Sequence, residues 1–259
     1  MILQVTQAYF EVLRSEMALE LSRSALEQAQ AQLETNRLRR AQGLLSDIDV
    51  LAAEAQVITA ELELNRARAN ETSARIALNR LLGLGPEASL ELAGELRTER
   101  VEVDLDAAIA TALAERLELR RARALVELRE LELSAAELET PLAERRARLA
   151  VERARLELAE REMDVILEVR QNHQAVVEAE ARIPIQEKNL ARAAESLRIT
   201  QLRHDAGLVT AINVIEAQRA AFQAEMQLIQ AEFDYRIALA RFYRSAGVPM
   251  EEILDDMRL

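Results

Sequence analysis

The sequence predicts an all-α fold built of elongated antiparallel coiled-coil hairpins in a twofold internal repeat. Apolar residues recur every seven positions, two similar glycine-containing turns interrupt the pattern, and the sequences around these turns align without a gap at an offset of 164 residues. A sustained seven-residue apolar repeat makes helices supercoil around one another. Aromatic residues make up only 3% of the 259 residues. A long, thin helical assembly is therefore expected rather than a thick globular core.

The first repeat covers residues 1–83 and contains one predicted hairpin. Its first helix runs to about Gln42 and its returning helix starts near Asp47. The apolar heptad positions of the first helix are Val5, Val12, Leu19, Leu26 and Leu33. The returning helix carries a small residue at the same spacing, at Ala53, Ala60, Ala67 and Ala74. A line of alanines lets two helix axes approach closely.

The second repeat covers residues 142–247 and preserves both patterns. Its apolar heptad positions are Val169, Val176, Ile183, Leu190 and Leu197, and its alanines are Ala217, Ala224, Ala231 and Ala238. Gly83 and Gly247 end the two returning helices at the same phase of the repeat. We therefore expect a second hairpin, whose first helix is the longest of the chain.

Three further segments complete the chain. Residues 84–106 form a connector in which Gly85 and Pro86 break the helix and residues 101–103 could form a strand edge. Residues 107–141 read as intermediate helices that stop near Pro141. Residues 248–259 form a short acidic tail.

The two hairpin tips share one construction. Gly43 and Gly207 supply the left-handed conformation that closes a helix, and Ser46 and Thr210 follow three residues later as N-caps. Between them lie Leu44 with Leu45 and Leu208 with Val209. Leu44 and Leu208 occupy turns where exposure is expected, and exposed apolar residues at the end of an assembly often mark a contact surface. The alternative is that they only pack across the turn.

Composition argues against several function classes. The formal net charge of −12 argues against nucleic-acid binding through a basic surface. No run of about 18 apolar residues predicts a transmembrane helix, and no secretory leader precedes the first heptad. We therefore expect no membrane insertion by this chain. The sequence contains no cysteine, which removes disulfides and thiolate chemistry.

No constellation of residues predicts catalysis, a metal site or a cofactor. The only histidines are His173 and His204, which lie too far apart on one helix to share a metal. His204 is expected to be a solvated or capping residue rather than a ligand or base. Carboxylates are numerous, but arginines balance them along the helices, as is usual for solvated helical faces. The chain is not expected to be an enzyme.

The doubled pattern resembles a known family. Each copy has a long helix, a Gly-Leu-x-Ser/Thr tip and an apolar-rich return, SDIDVLAAEAQVITAELELNRARANETSARIALNRLLG in the first copy and TAINVIEAQRAAFQAEMQLIQAEFDYRIALARFYRSAGV in the second. With the connector and LDAAIATALAERLELRRA that follows, the chain is similar over nearly its whole length to the TolC family of outer-membrane efflux proteins.

This resemblance implies a passive duct. In that family three protomers form a hollow α-helical barrel that crosses the periplasm below a β-barrel in the outer membrane. The present hairpins would be the periplasmic part, and their tips, Gly43 to Ser46 and Gly207 to Thr210, would face an adaptor protein and an inner-membrane pump. Acidic residues at the positions of Asn213 and Glu216 help to close the periplasmic entrance in the family. Glu216 keeps the charge and Asn213 does not.

The sequence departs from the family in one respect, and two alternative interpretations stay open. The amphipathic strands that the family places before the first long helix and after the helix ending near Pro141 are not found. We therefore expect only the helical portion, located in the periplasm. A structural coiled-coil scaffold without a pore is the alternative function. The alternative for Glu216 is an ordinary exposed helix residue stabilised by the N-terminal dipole.

Overall fold

The computed structural model describes residues 2–88, 90, 101, 103–138 and 140–248, and all regular structure in these ranges is α-helical. The helices are α1 (Ile2–Ala41), α2 (Asp47–Leu82), α3 (Leu105–Glu115), α4 (Leu117–Ala136), α5 (Pro141–Asp205) and α6 (Ala211–Ala246). The possible strand edge at residues 101–103 lies partly outside the described residues, and the acidic tail lies outside them from residue 249 onward.

The heptad pattern places side chains as the sequence predicts. None of the ten apolar heptad positions of the two repeats is exposed. On α2, Ala53, Ala60, Ala67 and Ala74 are all buried, and their counterparts Ala224, Ala231 and Ala238 on α6 are buried as well. The all-α hairpin repeat is confirmed. Small side chains at the seams bring the paired helices close together.

The chain divides into two compact units that do not follow the order of the repeats. The first unit consists of Met1–Ala93 and Ala179–Ile237, and the second of Gly94–Glu178 and Ala238–Leu259. The first unit thus contains α1, α2, the C-terminal part of α5 and most of α6. Both hairpin tips belong to it.

A small aromatic group reinforces the core of the first unit. Phe10 on α1 and Phe233 on α6 are fully buried and meet edge to face, with ring centroids 6.3 Å apart. Arg236 lies buried on the same helix. Burial lowers the pKa of Arg236, although the nearby Glu232, Tyr235 and Tyr9 oppose the effect. Nearby acidic and phenolic groups limit the cost of burying this charge.

In the second unit, Arg116 separates α3 from α4. Its backbone is extended, with φ −64° and ψ 128°. Its N–H still donates to the carbonyl of Ala112, and its own carbonyl accepts from the first turn of α4. The side chain binds Glu118 and Glu168 and donates to the carbonyl of Ser245 over 3.3 Å. The heptad pattern gave no signal for this break.

Pro141 begins α5 at the position where proline fits a helix best, because the first helical N–H needs no partner. The hydroxyl of the preceding Thr140 accepts from the N–H of Ala143 over 3.2 Å. Two ion pairs then fix α4 antiparallel to α5. Arg123 on α4 pairs with Glu162 on α5 at 3.0 Å. Glu130, seven residues later on α4, pairs with Arg155, seven residues earlier on α5, at 2.6 Å.

Candidate functional site: the paired hairpin tips

The first tip is closed by a left-handed glycine and a complete capping box. Gly43 has φ 73°. The hydroxyl of Ser46 accepts from the N–H of Asp49, and the Asp49 carboxylate accepts from the N–H of Ser46 over 3.2 Å. The hydrogen bond from Ser46 lowers the pKa of Asp49, although partial burial opposes the shift. The predicted N-cap at Ser46 is confirmed.

The second tip has the same shape with an amide in place of the carboxylate. Gly207 has φ 71°. The side-chain oxygen of Asn213 accepts from the N–H of Thr210 over 3.1 Å and from its hydroxyl over 2.9 Å. Asn213 is the repeat counterpart of Asp49. Its polar end is therefore engaged in the turn, while Glu216 is exposed one helical turn further along α6.

Polar contacts tie the two tips together within the first unit. The N–H of Ala211, at the start of α6, donates to the Asp49 carboxylate over 3.4 Å. Arg39 near the end of α1 pairs with Asp205 at the end of α5 at 2.8 Å. The buried amide of Asn36 donates to the backbone carbonyl of Asp49 over 3.4 Å. One carboxylate thus caps the first tip and also holds the start of the second returning helix.

The expectation for His204 is wrong. It is only 5% exposed, and among the described residues its Nε2 has no hydrogen-bond partner. It lies close to Asp49, whose pKa is lowered first by the hydrogen bond from Ser46 and least by the neighbouring His204. Spacing along α5 placed His204 near a turn, where solvent was expected. The folded chain covers it instead.

Both predicted tip leucines are exposed. Leu44 is 70% exposed and Leu208 is 74% exposed, whereas Leu45 and Val209 beside them are half-buried. Packing across the turn therefore does not cover Leu44 or Leu208. The paired tips present two apolar side chains to solvent, each held by a fixed turn.

Above the tips, a cavity of about 760 Å³ is lined by all four helices of the first unit. Phe222 lines it together with polar residues such as Gln28, Gln56 and Arg219. Arg219 donates to the side-chain oxygen of Gln56 over 3.0 Å and so connects α6 to α2. The lining is mixed, and no group of catalytic residues converges on it.

The described ranges contain no group of three or more histidine, aspartate and glutamate side chains arranged to hold a metal ion. In the same part of the chain, no helix combines the length and apolar character needed to span a membrane.

The chain matches a protein-family model. The model for outer membrane efflux protein matches residues 1–84 and 141–248, which is well over half of the chain. The chain belongs to the outer membrane efflux protein family. The two matched ranges contain both hairpins, whereas α3 and α4 lie outside them.

Solved structures support the same fold. The chain is similar to VceC, an outer membrane protein of Vibrio cholerae (TM-score 0.73, 18% identity, 95% of this chain and 69% of that one). It is also similar to the open state of the MtrE outer membrane channel of Neisseria gonorrhoeae (0.74, 17%, 95% and 66%) and to CusC (0.79, 14%, 94% and 67%). This outer membrane efflux protein thus spans about two thirds of the length of these proteins. No curated protein sequence matches it.

Proposed function

We propose that the chain is the periplasmic duct portion of a TolC-like efflux channel, which passively conducts small molecules and docks an adaptor protein through its hairpin tips. The observation that carries the proposal is the exposure of Leu44 and Leu208 on two tips that are tied side by side. Family membership favours efflux over other uses of long helical hairpins. No chemical step is assigned to the duct.

The duct would be assembled from three copies. Long hairpins with few bulky core residues bury too little surface as isolated pairs, so neighbouring copies would supply the remaining contacts. Electron microscopy of the purified protein tests this. We expect ring-shaped particles with a central hole. Solid rods, or a monomer that keeps full helicity at high concentration, would instead favour the scaffold function.

The tips would contact a periplasmic adaptor protein and, through it, an inner-membrane pump. We expect Leu44→Asp combined with Leu208→Asp to weaken binding to the host's periplasmic adaptor proteins at least tenfold in surface plasmon resonance. Helicity should stay unchanged, because both side chains already lie in solvent. Ile58→Asp with Ile185→Asp is the matched control, since these residues are 67% and 57% exposed on the helices away from the turns. Equal binding by both double variants would remove the tips from the docking site.

Glu216 would narrow the periplasmic end of the duct. Three symmetry-related carboxylates around an axis repel one another and attract cations. We expect isothermal titration of assembled rings to show divalent-cation binding that Glu216→Gln abolishes and that Glu225→Gln, an exposed carboxylate elsewhere on α6, leaves intact. If both variants still bind the divalent cation, Glu216 is an ordinary helix residue.

A further inference from the structure

The hairpin formed by α4 and the N-terminal part of α5 carries apolar side chains on its outer edges as well as in its seam. The seam is buried: Leu119 and Val126 on α4 are 0% and 9% exposed, and Val151 and Val165 on α5 are 5% and 4% exposed. Two residues before each of these positions lies another apolar or small residue. Two residues correspond to roughly 200° around a helix, so these residues point away from the seam.

We define two outer stripes from these residues. The outer stripe of α4 is Leu117, Ala124 and Leu131, and Leu138 continues its spacing into the following turn. The outer stripe of α5 is Leu142, Leu149, Leu156 and Met163. The leucines and methionine of both stripes are 56–89% exposed. Every member lies seven residues from the next, and each stripe covers the same three heptads.

We propose that the outer stripe of α4 packs antiparallel against the outer stripe of α5 in a second copy of this chain. This contact rests on the proposed assembly of the duct and names the surface that joins its copies. Leu131 would lie opposite Leu149, and Leu117 opposite Met163. Because the two stripes are different surfaces, the contact is heterologous, and repeating it closes a ring when the rotation from copy to copy adds up to a full turn.

The shape of the stripes favours a helix as the occupant. The stripe on α5 is one residue wide over Leu149 and Leu156, and charged side chains such as Arg145, Glu152 and Glu160 flank it, whereas Leu128 also lies exposed beside the stripe on α4. A strict seven-residue spacing matches the seam of a coiled coil, which narrows to such a line. A helix lying on a lipid surface needs a broader apolar face, spaced at 3.6 residues per turn.

The charges beside the stripes favour the antiparallel orientation. With the stripes paired as proposed, Arg121 of one copy comes near Glu160 of the next, and Arg145 comes near Glu137. A parallel arrangement would instead place Arg121 beside Arg145 and Arg146. Exposed ion pairs add little affinity, but like charges along a helical seam select against the wrong orientation.

Two matching stripes on opposite edges of one hairpin also favour a second copy over an unrelated protein. The two stripes have the same spacing and the same length, and the charges that flank them are opposite in sign when the stripes are paired. The α4 stripe lies outside the ranges that match the family model.

The absence of cysteine from the sequence allows a direct test by cross-linking. Leu131→Cys and Leu149→Cys are prepared as separate variants with tags of different mass, mixed at assembling concentration and oxidised. We expect disulfide-linked dimers that contain one copy of each variant. The two positions face opposite edges of one hairpin, so a protein carrying both changes should form chains and closed rings rather than internal disulfides. Leu131→Cys mixed with Arg153→Cys is the control, because Arg153 is exposed on α5 beside the stripe.

Four results would overturn the proposal. Linkage of Leu149→Cys only to itself would indicate an isologous contact between α5 helices. Equal cross-linking in the Arg153→Cys control would indicate random collision. No cross-linking in particles that still form rings would reject this seam and leave the duct standing. A wild-type protein that forms no rings, together with cysteine variants that form no cross-links, would reject both.

A charge variant gives an independent measurement. Leu149→Glu with Leu156→Glu should raise the dissociation constant of the assembly at least tenfold in sedimentation equilibrium, with unchanged circular dichroism. Arg153→Glu, which changes charge beside the stripe, should have a much smaller effect. If the double variant assembles normally but loses co-sedimentation with phosphatidylcholine–phosphatidylglycerol vesicles, the stripes bind lipid and the proposal is wrong.

Discussion

Replacing Asp49 with alanine tests the link between the two hairpin tips. The carboxylate accepts two hydrogen bonds from Ser46 and one from the N–H of Ala211. The bonds to Ser46 belong to a capping box, and losing a capping side chain costs about 0.5–2 kcal/mol. The bond to Ala211 is long, at 3.4 Å, so it adds little. We expect a loss of about 1–2 kcal/mol in the free energy of unfolding.

Two assays measure this effect. For a domain of this size, about 1–2 kcal/mol corresponds to a fall in Tm of about 2–8 °C. Hydrogen exchange should locate this loss, because the backbone amides of Ser46 and Ala211 lose the carboxylate to which both donate. Exchange in the middle of α2 should change far less. A variant that melts like the wild type, with unchanged exchange at Ala211, would refute the idea that this carboxylate joins the tips.

Asp49→Asn is the matched control, because Asn213 fills the same position of the second tip. The amide oxygen can still cap the helix, so the loss at neutral pH should be smaller than for alanine. The pKa of Asp49 is lowered, first by the hydrogen bond from Ser46. A lowered pKa contributes stability that is present above the unfolded value of about 3.9 and is lost as the pH falls through the folded value. The stability difference between wild type and Asp49→Asn should therefore vanish in acid.

Three further changes follow from the geometry. Gly43→Ala or Gly207→Ala should each lower the free energy of unfolding by about 1–2 kcal/mol in urea titrations, because both residues have positive φ, whereas Gly85→Ala should be neutral. Arg116→Ala should lower the free energy of unfolding by about 1–3 kcal/mol, because two carboxylates and the Ser245 carbonyl lose a donor. An unchanged unfolding midpoint would contradict this role. Ala67→Leu should cost about 1–3 kcal/mol by overfilling the α1–α2 seam, and a more stable variant in thermal melts would mean that the seam has spare room.

Local rules in the sequence determine the helices and their turns. The seven-residue spacing of residues such as Val12 and Val169 predicts the seams, because helix geometry relates spacing to side-chain direction without any knowledge of the partner. Gly43 and Ser46 predict the first tip for a similar reason, since a left-handed residue and an N-cap act within a few residues. The resemblance to efflux proteins rests on the same repeated pattern.

Contacts between distant segments were decided only by the tertiary structure. A second set of seam positions on α1, Ser15, Ser22, Ala29 and Asn36, is buried at the same seven-residue spacing, yet its polar members do not read as core in a sequence. The hydroxyl of Ser15 donates to the Val12 carbonyl within its own helix, whereas the amide of Asn36 reaches the Asp49 carbonyl only once α1 packs on α2.

Three features share one physical reason: the burial of His204, the bond from Ala211 to Asp49 and the break at Arg116. Each depends on residues far apart in the chain. Sequence spacing determines which way a side chain points around its own helix. Which group it meets there is settled only when the helices pack, because burial and hydrogen bonding depend on the neighbouring segment.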